Sequence, residues 1–267
     1  MSPSDLRLCR SMLFLPASNA RRIEKARTLA ADIVVLDLED AVKAEDKEEA
    51  RGAAVAAVAQ GFPMPVAIRI NSDDRWRDAD AAAVASSAAD FAIVPMTRGA
   101  DDVRAAKQAT GKPVLAMVET ARGVLAAAEI AGEAAALIAG TNDLAADLGI
   151  RPGGGRAALV TALQSILLAA RAAGIAAFDG VYNRLEDPEG FAAQCREGRD
   201  FGFDGKSVIH PGQIETANAL FGPTAEEVEA ARRLIAAATG GAERYEGEMI
   251  ERMHVEQARW TIAKARA

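Results

Sequence analysis

Short runs of apolar, largely β-branched residues recur along the chain, and the stretches between them carry apolar residues at helical spacing. The runs begin near Ser11, Ile33, Pro65, Phe91, Pro113, Ala134, Ala176 and Gly205, and they predict eight strands. Their starts lie 21 to 42 residues apart, close to the roughly 30 residues that a strand, a crossover helix and the next strand occupy. Between them, 19–30 places Ile23, Ala26 and Ala30 on one helix face, 45–58 is acidic and then Ala/Val-rich, and 101–109 opens with two acids. Acidic residues belong in a first helical turn, where the helix dipole favours them. The longest gap, after Ala134, must hold a short helix, a glycine-rich turn at 152–155 and a long helix over 156–173.

Eight uninterrupted βα units in roughly 250 residues predict a (β/α)8 TIM barrel, with a doubly wound open sheet as the alternative. No Gly-x-Gly-x-x-Gly follows the first strand, which weakens the dinucleotide-binding form of that alternative. The expected division is a barrel over 1–222 and a C-terminal helical segment and tail over 223–267. The latter holds a helix over 224–238, a break at Gly240 and Gly241, and a charged stretch that must pack elsewhere, and it is expected to contact a neighbouring subunit.

Composition narrows the function. Half of the residues are hydrophobic and Gly plus Pro number only 32 of 267, which excludes a disordered or collagen-like chain. The net charge is −7 and no basic run exceeds a dipeptide, so neither nucleic acid nor an anionic membrane is an expected partner. Cys9 and Cys195 have no ligand or redox spacing, and no stretch of about 18 apolar residues occurs. A cytoplasmic protein is expected.

In a barrel, active sites form where the strands end. Asp37 and Glu39 end the second apolar run, Arg69 and Asn71 the third, Glu119 and Thr120 the fifth, Asn142 and Asp143 the sixth, and His210 the eighth. Period two puts Asp37 and Glu39 on one face, either as an ion network with Arg69 or as supports behind the site. Glu119 and Asp143, on neighbouring strands, offer two hard oxygen ligands without nearby cysteine, which describes Mg²⁺ better than zinc. Asn142 or Asp143 could instead cap a helix, and Asp147, one turn on, is the alternative ligand. Arg69 either pairs with Asp37 or Glu39 or awaits an anionic ligand, for which its planar fork suits a carboxylate. His210 before Pro211 reads as a turn residue or a base. No Ser-His-Asp, Walker or Cys-His signature is present.

The segments Arg10-Ser11-x-Leu13-Phe14-x-Pro16, Leu36-Asp-Leu-Glu-Asp-Ala-Val42, Arg69-Ile-Asn71, Val118-Glu-Thr-Ala-Arg-Gly123, Gly140-Thr-Asn-Asp-Leu-Ala-Ala-Asp-Leu-Gly149 and Gly202-Phe-Asp-Gly-Lys-Ser-Val-Ile-His-Pro-Gly-Gln213 together resemble the citrate lyase β-subunit-like proteins, relatives of malyl-CoA lyase. The resemblance runs in order over nearly the whole chain. It implies a (β/α)8 barrel, a homotrimer or hexamer, and Mg²⁺-dependent cleavage or formation of a C–C bond between an acyl-CoA thioester and a 2-oxo acid. Carried across, the metal ligands fall on Glu119 and Asp143 rather than Asp147, and the oxo-acid-binding arginine on Arg69. The backbone at Gly140 and Thr141 falls near the substrate carboxylate. The family's tail Asp, which serves a neighbour's site as general acid/base, falls on Glu251, one methylene longer. Asn142 stands where the family often has Glu. Other readings are an aldolase on free 2-oxo acids, an acyl-CoA thioesterase, or a non-catalytic binding relative.

Overall fold

Inward-facing apolar residues at every second position build the predicted barrel. The computed structural model describes residues 3–151 and 153–265, so Pro152 of the expected glycine-rich turn lies outside the described residues. The strands are β1 (Ser11–Pro16), β2 (Ile33–Asp37), β3 (Val66–Arg69), β4 (Phe91–Val94), β5 (Val114–Val118), β6 (Ala136–Ala139), β7 (Ala176–Asp179) and β8 (Gly205–Val208). They pair in sequence order, all parallel, and β8 closes on β1 with Ser207 opposite Met12. Met12, Phe14, Ile33, Val35, Leu115 and Phe178 belong to the cluster inside the ring, while Leu13, Leu15, Val34 and Leu36 belong to the cluster shared with the helices. That alternation is what burial on both faces demands of a parallel strand.

The helices start where short polar side chains cap them. Asn19 Oδ1 accepts the Arg22 N–H at 3.0 Å ahead of Ala20–Ala26, and Asp187 caps Pro188–Phe201. Thr224 and Glu227 exchange side-chain and backbone bonds in a capping box at the start of Ala225–Ala237. One gap departs from expectation: β5 and β6 are joined by two short helices, Ala121–Leu125 and Ala127–Glu133. Between β6 and β7 the chain forms Thr141–Asp147, then a 3-10 turn Arg156–Leu159 that runs into Val160–Ala172.

The tail is more ordered than its charge implied. It contains an antiparallel hairpin, β9 (Glu243–Tyr245) and β10 (Glu248–Ile250), followed by a helix Arg252–Lys264. Glu246 and Gly247 at the hairpin tip both have positive φ, 48° and 92°, as a two-residue turn matched to strand twist requires. The last helix returns to the N-terminal end of β8: Lys264 Nζ donates to the Asp204 carbonyl, and Arg7 lies 4.7 Å over the Trp260 ring and 3.5 Å from the Asp204 carboxylate. This is the end of the barrel away from the strand C-termini. Among the described residues no helix is long and apolar enough to cross a membrane.

Candidate active site

Glu119 is the first residue after β5 and is 2% exposed. Its Oε1 accepts the backbone N–H of Met96 at 2.5 Å. Met96 holds φ at 50°, in the left-handed region that costs a non-glycine residue about 1 kcal/mol or more. The other oxygen, Oε2, is buried with no hydrogen-bond partner among the described residues. It lies against Gly140, where any Cβ would overlap the carboxylate. Glycine is therefore required at 140 by close approach, since its φ of −84° is ordinary.

Arg69 ends β3 beside the end of β2, with Asp37 as its register partner. Its Nε and Nη2 donate to the two Asp37 oxygens at 2.7 and 2.6 Å, a bidentate pair. Its Nη1 lies 3.0 Å from Glu39 Oε2 and 3.2 Å from Asp40 Oδ2. Asp37 further accepts the N–H groups of Glu39 and Ala41 at 2.9 and 3.2 Å. Burial disfavours the charged guanidinium, but the three carboxylates outweigh it and hold Arg69 firmly protonated. Burial also raises the Glu39 carboxyl above its ordinary value, against the pull of Arg69. β2 stops at Asp37, so Glu39 reaches Arg69 from the turn beyond the strand and not through period-two alternation. Of the two roles expected for Arg69, the pairing with Asp37 and Glu39 is the one the folded chain shows.

Asp143 sits in the first turn of Thr141–Asp147, whose N-cap is Gly140 and has no side-chain cap bond. Asp143 is exposed and lines the cavity at the barrel mouth, together with Arg69, Glu119, Gly140 and Thr141. Asp147 is engaged elsewhere: its Oδ2 accepts the Ala121 N–H at 2.7 Å, at the start of the neighbouring helix. Asn142 exchanges amide contacts with Asn183. His210 is a turn residue whose Nδ1 accepts the Gly212 N–H at 3.1 Å. Glu251 is exposed at the N-cap of Arg252–Lys264, its N–H donating to His254 Nδ1 at 2.9 Å, and it does not line the mouth of its own barrel.

The mouth cavity has a volume of about 400 Å³. Asp37, Asp40, Glu119 and Asp143 line it against Arg69 and Arg22, and Glu39 adds a further carboxylate on Arg69. Burial first, and then Glu39 and Asp143, push the Glu119 carboxyl up to about 7, although the Met96 N–H opposes the shift. A cation placed between Glu119 Oε2 and Asp143 would satisfy the one and offset the repulsion of both. Among the described residues no three His, Cys, Asp or Glu side chains gather to enclose a metal. Two carboxylates with open positions for water and substrate fit a hard ion such as Mg²⁺.

Sequence reasoning passed over Met96, Asp40 and Ser207. Nothing in a sequence marks a methionine with positive φ. Asp40 and Ser207 could have been found, the first as the next acid in the Asp37 segment and the second as a hydroxyl at an inward position of an otherwise buried strand.

Comparison with known proteins places this geometry in context. A family model described as HpcH/HpaI aldolase/citrate lyase matches residues 10–211. The chain is 44% identical over 272 residues to a (3S)-malyl-CoA thioesterase of Cereibacter sphaeroides, covering 97% of this chain and 95% of that protein. It is 33% identical over 280 residues to citrate lyase subunit beta of Escherichia coli, covering 96% and 93%. A crystal structure of CitE from Mycobacterium tuberculosis in complex with magnesium, acetoacetate and coenzyme A matches with a TM-score of 0.81 at 33% identity, over 96% of this chain and 98% of that one.

Proposed function

The chain belongs to the HpcH/HpaI aldolase/citrate lyase family, and from that premise we propose a cytoplasmic, homo-oligomeric, Mg²⁺-dependent carbon-carbon lyase acting on a β-hydroxyacyl-CoA of malyl-CoA or citramalyl-CoA type. The observation that carries the reading is Glu119 Oε2, buried and unpartnered in a mouth it shares with Arg69 and Asp143. A magnesium complex of a relative with acetoacetate and coenzyme A supports it.

Glu119 and Asp143 are the residues that hold Mg²⁺, which when bound polarises substrate oxygens as a Lewis acid. Asp37 grips one edge of Arg69 so that the guanidinium cannot swing, Glu39 and Asp40 take Nη1, and the second N–H of Nη2 is left for the 2-oxo acid half. The backbone at Gly140 and Thr141 borders the same half. In the lyase direction a base removes the β-hydroxyl proton. The bond between the hydroxyl-bearing carbon and the α-carbon then breaks, its electron pair passes into the thioester enolate, and a proton returned to the α-carbon gives the acyl-CoA. The hydroxyl-bearing carbon leaves as the carbonyl of the 2-oxo acid. Asp37, Glu39 and Asp40 are tied to Arg69, and Glu119 and Asp143 are taken by the ion, which leaves the base to come from outside this mouth. Glu251 of a neighbouring subunit fills that role, with the barrel over 1–222 carrying the site and 223–267 reaching across. A trimer or hexamer is the assembly in view.

Thioester hydrolysis of the same substrates is the second reading, favoured by the 44% identical thioesterase. One assay separates them. The protein is incubated with Mg²⁺ and malyl-, citramalyl- and citryl-CoA. Lyase action releases a 2-oxo acid while CoA stays acylated. Hydrolysis releases the free CoA thiol and a hydroxy acid without oxo acid. Retained Mg²⁺ binding with neither product would leave a non-catalytic relative.

A further inference from the structure

Ser207 is an anomaly in the mouth. It is 2% exposed, lines the cavity, and its Oγ is buried with no hydrogen-bond partner among the described residues. A buried hydroxyl left unpaired costs about 1 to 3 kcal/mol, so a serine placed there is a poor choice unless something arrives to pair with it. β8 is central to the barrel wall and pairs with β1, Ser207 standing in register with inward-facing Met12. In the closed order β1 to β8, β8 is three strands from β3, which carries Arg69, and three from β5, which precedes Glu119. Ser207 therefore faces both across the mouth. The lining between them mixes apolar Phe14, Met117 and Ile209 with polar Thr141, Asn142 and Asn183.

We infer that the Ser207 hydroxyl donates a hydrogen bond to the thioester carbonyl oxygen of the bound acyl-CoA, making Ser207 a catalytic residue for the charge that develops there. This rests on the proposed reaction. With the oxo-acid half of the substrate held at Arg69 and the carboxylate pair, the heteroatom left to face β8 is the thioester carbonyl. That oxygen gains negative charge as the carbon-carbon bond breaks, or as water adds in hydrolysis. A neutral donor fixed in a buried wall stabilises such charge without reorganising. The hydroxyl proton stays on Ser207 throughout, so no further reactant is needed.

The test compares the wild type with Ser207→Ala and Ser207→Cys in four measurements: melting temperature, Mg²⁺ affinity, calorimetric binding of acetyl-CoA with Mg²⁺ present, and turnover of the CoA thioester panel. Ser207→Ala should melt no lower, because it removes an unpaired buried hydroxyl, and should bind Mg²⁺ as the wild type does. Its acetyl-CoA binding should weaken about fivefold and its kcat fall on the order of 10²-fold. Ser207→Cys, a weaker donor of similar shape, should fall between. Wild-type kcat and acetyl-CoA affinity in Ser207→Ala would overturn the inference, as would a lower melting temperature accompanied by lost Mg²⁺ affinity. If the wild type binds acetyl-CoA but cleaves none of the thioesters, the reaction proposed above fails, and the binding difference alone decides Ser207. A wild type that does not bind acetyl-CoA overturns the inference as well.

Discussion

Two of the buried ionic clusters in this barrel differ in whether their charges balance. In the wall between β7 and β8, Asp179 and Lys206 are both fully buried, with Lys206 Nζ 2.8 Å from Asp179 Oδ2. Arg156 lies 2.7 Å from the other Asp179 oxygen and 2.6 Å from Glu197. Two acids meet two bases. At the mouth, Asp37, Glu39 and Asp40 crowd one Arg69, and Glu119 stands apart with an orphaned oxygen near Asp143. The first cluster balances its charges within the folded chain, although Arg156 Nη1 there is buried without a hydrogen-bond partner among the described residues, while the second carries more acid than base and leaves Glu119 Oε2 unpartnered. An unbalanced cluster is thus the better pointer to function, because an excess of buried carboxylates brings no structural benefit until a cation offsets it.

The largest effects should come from what the mouth lacks. With Asp37, Glu39 and Asp40 tied to Arg69 and Glu119 and Asp143 assigned to the ion, the proposed base is Glu251, so Glu251→Ala should lose roughly 10²- to 10⁴-fold in turnover while Mg²⁺ binding persists. Inactive Glu251→Ala and Asp143→Ala subunits, dissociated and reassembled together, should recover part of the activity at interfaces that join the two intact residues. Absence of rescue in verified mixed oligomers would mean that Glu251 does not act across subunits.

The closed cluster should respond in stability instead. Asp179→Asn leaves Lys206 buried and uncompensated, and denaturant unfolding should show a loss of about 3 to 5 kcal/mol. A small loss would show that the wall cluster is no more structural than the mouth.

Glu119 should show the opposite sign. Its carboxyl is raised from 4.5 to about 7, so the folded state keeps this proton to higher pH than the unfolded state does. The associated stability is full below about pH 4.5 and is lost as pH rises through about 7. At pH 8 without metal, Glu119→Gln should therefore be more stable than the wild type, by up to about 3 kcal/mol at 1.36 kcal/mol per pKa unit. A destabilised Glu119→Gln in a metal-free pH series would place Glu119 with the structural acids.

Asp147→Ala should have the smallest effect, about 1 kcal/mol for the lost bond to the Ala121 N–H, with Mg²⁺ affinity unchanged. Lost Mg²⁺ binding in that variant would move the ligand assignment one turn along the helix.

The strands were legible because barrel burial leaves apolar runs with polar ends, and those ends named Arg69, Glu119 and Asp143, which line one cavity. Pairing between the ends was less so. Sequence leaves Arg69 either paired with Asp37 or Glu39 or awaiting a ligand, and only the β2–β3 register, which sets Asp37 beside it, gives the bidentate edge to the local partner. The hairpin at β9 and β10 was hidden because three-residue strands carry no usable period and Glu246-Gly247 is a weaker turn signal than Asn-Gly. The split at Ala126 has no Gly or Pro to announce it. Met96 was invisible for a different reason: its backbone conformation is imposed by the fold around Glu119 and is written in no local residue choice.

If one divalent ion closes the mouth cluster, Glu119 and Asp143 are both needed to hold it. Calorimetric titration of Mg²⁺ into the wild type, Glu119→Gln and Asp143→Asn at pH 8 tests it directly. One ion per chain is expected in the wild type and none in either variant, with all three folded by circular dichroism. A wild type that binds no Mg²⁺, or either variant binding it as tightly as the wild type, would contradict it.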